Sequence, residues 1–130
     1  MPRINFLSVL VAALAPFVAS SVWYLALGKQ LAQVSPAFAA QRPAPWKMLV
    51  VIAQGLVLAS VLAYLLGLVG EISWLGAMGI GVLLWTGLSA VQWVGSMVWE
   101  RVPLKMAAIH AGDWLVKLVL ICAIIGAWRK

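Results

Sequence analysis

Long apolar runs separated by short polar breaks dominate the chain. Residues 4–27, 48–70 and 72–99 contain no charged side chain, and 106–128 is interrupted only by His110, Asp113 and Lys117. About 20 apolar residues cross a bilayer core of roughly 30 Å, so each run is long enough to span. The runs lack strict alternation and are about twice the length of a spanning strand, which excludes a barrel. Backbone groups in lipid must then be satisfied within each segment, as only a helix allows. The pattern predicts an all-α integral membrane bundle, one domain over 1–130. Its four transmembrane helices are expected at about 4–27, 47–69, 72–99 and 105–128.

The breaks differ in kind. Residues 28–46 hold Pro36, Pro43 and Pro45 and form the one long loop, with room for a short interfacial helix near 30–34. Gly70-Glu71-Ile72-Ser73 predicts a tight turn that makes helices two and three an antiparallel hairpin. Arg101-Val102-Pro103 predicts the same for helices three and four. Arg3, the first apolar core and Ala19-Ser20-Ser21 resemble a cleavable signal peptide. The apolar run continues through Val22-Trp23-Tyr24 to Leu27, however, so it reads as a retained helix, with a local kink expected at Pro16.

Composition removes the soluble alternative. Hydrophobic residues make up 65% and charged residues 9% of the chain, against about 45–50% and about 25% in soluble domains. Disorder is excluded as well, because it requires low hydrophobicity. The net charge of +6 comes from basic residues scattered in ones and twos. Without a basic stripe, nucleic acid is not an expected partner. The scattered charges instead orient the spans. Lys29, Arg42, Lys47, Arg101 and Lys105 fall on one side, and Arg3, Arg129 and Lys130 on the other. This bias assigns both termini to the outer side of the cell (inner) membrane. Trp23, Tyr24, Trp46 and Trp99 mark one interface, Trp74 and Trp128 the other. The expected partners are the lipid bilayer and either further copies of the chain or a membrane-protein complex. Cys122 is alone, so it forms no intrachain disulfide or cysteine metal cage.

Ile4-Asn5-Phe6-Leu7 opens a helix that closes with Trp23-Tyr24 and then Gly28-Lys29. A later stretch runs from Trp85-Thr86-Gly87 through Trp99-Glu100-Arg101 to Gly112 and Trp128. In these features the chain resembles the bacterial membrane proteins called the domain of unknown function 1761 family. The resemblance covers nearly the whole chain and implies four transmembrane helices, but carries no catalytic role. Many members have an aromatic residue after Gly-Lys, where this chain has Leu31.

The polar residues of the last two helices follow helical spacing. Ser89, Gln92, Trp93, Ser96 and Glu100 share one face, as do His110, Asp113, Trp114 and Lys117. Counting outward from Pro103 at 1.5 Å per residue matches Gln92 with Asp113, Ser96 with His110 and Ser89 with Lys117. Gln54 and Ser20-Ser21 lie in the same half of the bilayer. The candidate polar patch is therefore Gln54, Gln92, Ser96, His110, Asp113 and Lys117. Asp113 and Lys117 are four apart in the favourable acid-first order. Charges at this depth cost about 2.5–3.5 kcal/mol each on insertion scales and by default mark a functional site. A purely structural reading remains open: an intrahelical ion pair, with Gln92 and Ser96 as interhelical glue.

His110 with Asp113 supplies two metal ligands where zinc wants three or four, so no metal and no cofactor is expected. Hydrolase, zinc-protease and phosphate-loop motifs are absent. Ser96, His110 and Asp113 assemble a catalytic grouping only on paper, without an oxyanion donor. An enzyme is not the expected reading. Gly55, Ala59, Ala63 and Gly67 form a small-residue ridge suited to close helix contact. Two functions remain: a binding or assembly subunit with a polar intramembrane patch, or an oligomeric transporter or channel for small solutes or protons.

Overall fold

The computed structural model describes residues 5–39, 45–70 and 73–128. In chain order the helices are α1 (Phe6–Val34), α2 (Pro36–Ala39), α3 (Pro45–Val69), α4 (Trp74–Leu84), α5 (Val91–Trp99) and α6 (Leu104–Trp128). A π-helical turn, Trp85–Ala90, joins α4 to α5, so Trp74–Trp99 acts as one span. Four helical spans are thus long and apolar enough to cross a membrane. The described residues contain no strand. The protein is an all-α, multi-pass membrane bundle.

Local chemistry sets the ends. The Asn5 side chain accepts from the amides of Leu7 and Ser8 and starts α1. The helix passes through Pro16 and past the expected end at Leu27 to Val34. Gly28 and Lys29 do not break it, because Gln30, Leu31, Ala32 and Gln33 are all compatible with helix. Pro36 stops it by disfavouring helix at Ser35. The expected interfacial helix near 30–34 is therefore the last turn of α1. Leu31 is fully buried there, and Lys105 donates to Gln33 Oε1 at 3.0 Å, tying α1 to the start of α6. Ser73 caps α4 by accepting from the Gly76 amide. At the far end of that span, the Val102 and Glu100 amides both donate to the Ser96 carbonyl. Arg101 takes φ 55° to permit this closure. In the other turn Gly70 has φ 97°, while Glu71 and Ile72 lie outside the described residues.

The packing order departs from the connection order. α3 packs on α1, α1 on α6, and α6 on α4 and its continuation. The second and third spans, though joined by a short turn, are not packing partners, so the expected hairpin pair is corrected. Small residues explain the choice, since helices in lipid approach most closely where side chains are shortest. Ala59 and Ala63 of the α3 ridge are buried, and a Cβ on Gly55 would lie 3.3 Å from the Ala13 carbonyl oxygen. Ala77 and Gly81 of α4 lie against α6 in the same way, and Gly126 of α6 answers them. The core formed by Val9, Ala12, Leu62, Leu66, Leu118, Ile121, Cys122 and Ile125 fills the end of the bundle nearest Gly70. Phe6, Leu10, Val18, Leu25, Val57 and Leu83 point outward, as a lipid-facing surface requires. The polar groups are left to the opposite half.

Candidate functional site

Asp113 is the centre of that half. It sits on α6, the helix contacted by every other span, and is only 2% exposed. A buried carboxylate needs partners for its oxygens. Ser20 of α1 donates to Oδ1 at 2.5 Å, and the Lys117 ammonium lies 3.0 Å from Oδ2. Tyr24, one turn beyond Ser20, brings its hydroxyl to 3.4 Å from Oδ2 and 2.7 Å from His110 Nδ1. The hydroxyl carries one proton, so two arrangements satisfy the trio. If Tyr24 donates to Asp113, Nδ1–H of His110 donates to Tyr24, giving a directed chain from His110 to Asp113. Otherwise Tyr24 donates to an unprotonated Nδ1.

Two indoles fix the height of α6 against its neighbours. Trp23 Nε1 donates to the Ile109 carbonyl at 3.0 Å, and Trp85 Nε1 to the Ala111 carbonyl at 2.8 Å. Gly112 makes room for the first, because a Cβ there would come within 2.6 Å of the Trp23 ring. Two further indoles flank the cluster. Trp93 stacks on His110, centroids 5.1 Å apart and 10° from parallel, and Lys117 Nζ lies 4.9 Å from the Trp114 ring centroid.

The cluster opens into a cavity of about 500 Å³ between α1, α3 and α6. Ser20, Tyr24, His110, Asp113 and Lys117 form its polar wall, with Gln54 of α3 across from them. Phe17, Met48, Val51 and Trp114 supply apolar surface. A narrower space of about 50 Å³ shares Ser20, Gln54 and Lys117 and runs on to Pro16, Leu58 and Ile121. A mixed lining with a few convergent polar groups is what a small-molecule site presents.

The six residues singled out in the sequence therefore separate. His110, Asp113, Lys117 and Gln54 share this cavity. Gln92 and Ser96 do not join it, because the carboxylate takes its partners from α1 rather than α5. The π-helical turn before Gln92 widens one helical turn and shifts the register of everything after it. Gln92 is exposed and lines a different groove, while the Ser96 carbonyl closes the end of α5. Sequence reasoning missed Tyr24 as a partner of the cluster. It lies in the Trp23-Tyr24 pair, whose aromatic character reads as an interfacial anchor. Ser20 was visible by depth, but its direction was not.

No curated protein and no solved structure matches the chain. Residues 7–126 match the model of a family described as protein of unknown function (DUF1761). That match covers both the Trp23-Tyr24 region and the α6 cluster, and the chain belongs to the DUF1761 family.

Proposed function

We propose that the protein is a non-enzymatic binding subunit of the cell (inner) membrane, with the Asp113 cavity as its site. One observation carries this reading. A buried carboxylate is held by partners from α1 and α6 at the wall of a cavity that also receives Gln54 from α3. Structural glue needs no such cavity, since an interhelical hydrogen bond in lipid contributes only about 0.6 kcal/mol on average. Lys117 is paired through Asp113 yet 24% exposed, which leaves further N–H donors for a ligand. The site operates within one copy or in an assembly with further copies or another membrane protein.

A proton-linked transporter is the second reading, favoured by the His110–Tyr24–Asp113 chain. Reconstituted vesicles separate the two. Binding predicts vesicles equally tight to protons with the unaltered protein and with Asp113→Asn. A leak that falls with Asp113→Asn would overturn binding in favour of transport.

The excess of Lys and Arg around the long loop and the Arg101 turn supports placing that end in the cytoplasm and both termini outside. Arg3, Arg42, Arg129 and Lys130 of that count lie outside the described residues. Single cysteines introduced as Arg42→Cys and Leu104→Cys, in a chain carrying Cys122→Ala, are expected to resist a membrane-impermeant thiol reagent in intact cells. Ready labelling of both would reverse the orientation.

A further inference from the structure

A second space adjoins the first, with Trp114 in the lining of both. The second and third spans do not pack together, and between them runs a groove of about 270 Å³ floored by Trp114 and Leu118. Ser89 lines it, 8% exposed, and its hydroxyl has no hydrogen-bond partner among the described residues. This is unusual within the molecule. Ser21, Ser60 and Thr86 each donate back to the carbonyl four residues earlier, the ordinary resolution for a helical hydroxyl in lipid. Ser89 sits in the π-helical turn, a feature that recurs at functional sites. Gln92, three residues on, lines the same groove.

We propose that this groove is a binding site for a lipid-soluble ring compound bearing a neutral carbonyl, quinone-like in its chemistry, which enters sideways from the bilayer. Four features fit that class. The Ser89 hydroxyl and the Gln92 amide can each donate, and a carbonyl oxygen would accept from both. Among the described residues no charged side chain lines the groove, which suits a neutral group. Ser89 lies about 15 Å along the helix from Trp99 and about 22 Å from Trp74, far from either interfacial marker. A phospholipid headgroup does not sit at that depth, whereas a carbonyl on an apolar body is carried there at small cost. Finally, Trp93 has one ring face stacked on His110, and Trp114 lies beneath Lys117, so both indoles present remaining surface to a flat ring. The inference does not depend on the Asp113 cavity being a binding site.

Equilibrium binding of a decyl-substituted benzoquinone to the full chain in lipid nanodiscs tests it, with empty nanodiscs measuring simple partitioning. Saturable binding beyond partitioning is expected. Ser89→Ala and Gln92→Leu should each weaken it at least tenfold, and Thr86→Val, on the same span outside the groove, should leave it unchanged. Decylbenzene, which lacks the carbonyl, should not compete. Ser89→Ala removes a hydroxyl that bonds nothing among the described residues, so loss of fold does not confound that variant. Binding no greater than partitioning would overturn the proposal, as would equal binding by both groove variants. Release of a dimer by Gln92→Leu without quinone binding would assign the groove to a second copy instead.

Discussion

Lys117→Met is expected to destabilise the protein by about 3 kcal/mol, and adding Asp113→Asn should restore most of that loss. The size follows from the cost of one uncompensated charge at membrane depth, about 2.5–3.5 kcal/mol. In the unaltered protein, Lys117 lies 3.0 Å from a carboxylate that is itself 2% exposed, so each charge offsets the other. Removing the ammonium leaves Asp113 with only the Ser20 and Tyr24 hydroxyls. Neutralising both side chains leaves polar groups that α1 still serves, with no net charge to strand. A double-mutant cycle on unfolding in mixed micelles reads the coupling directly. Losses that simply add would mean that Lys117 turns to the headgroups and leaves Asp113 to α1.

The second large effect belongs to packing. Gly81→Ala is expected to cost about 1–3 kcal/mol, the range for forcing an extra carbon into a closed contact. Its Cβ would stand 2.9 Å from the Leu118 carbonyl oxygen and 3.2 Å from the Val119 Cα. Both are backbone atoms of α6, which cannot swing aside as a side chain does. Gly79→Ala on the same helix supplies the comparison, since nothing lies within 4 Å of its added carbon. That change should be neutral or slightly stabilising, because glycine is the weaker helix former. Equal stabilities for the two variants would contradict the close α4–α6 contact.

These residues also show what the chain disclosed before its structure was known. The spans were legible because lipid demands uninterrupted apolar length, and residues 4–27 and 48–70 have it. The Asp113–Lys117 pair was legible because four residues bring side chains together on any helix. The end of α1 was less so: a charge and a glycine mark the bilayer edge, but neither stops a helix, and only Pro36 does. The Ala59–Ala63 ridge was visible by spacing, whereas Ala77 and Gly81 have the same spacing and were passed over. Sequence gives the spacing along a helix but not which neighbour faces it. The direction of Gln92 was hidden for a different reason. Its assignment beside Asp113 assumed a regular helix through 85–90, and the π-helical turn there leaves no mark in residue type. Tyr24 was hidden by its plausibility as an interfacial anchor.

The most direct test of the binding site is a side-chain-resolution map of the protein purified in native lipid. The account predicts non-protein density in the cavity between Gln54, Asp113 and Lys117, weakened or lost in the Gln54→Leu variant. A cavity holding only water, or closed by α3 moving onto Asp113 and Lys117, would contradict it and leave the cluster as a structural ion pair.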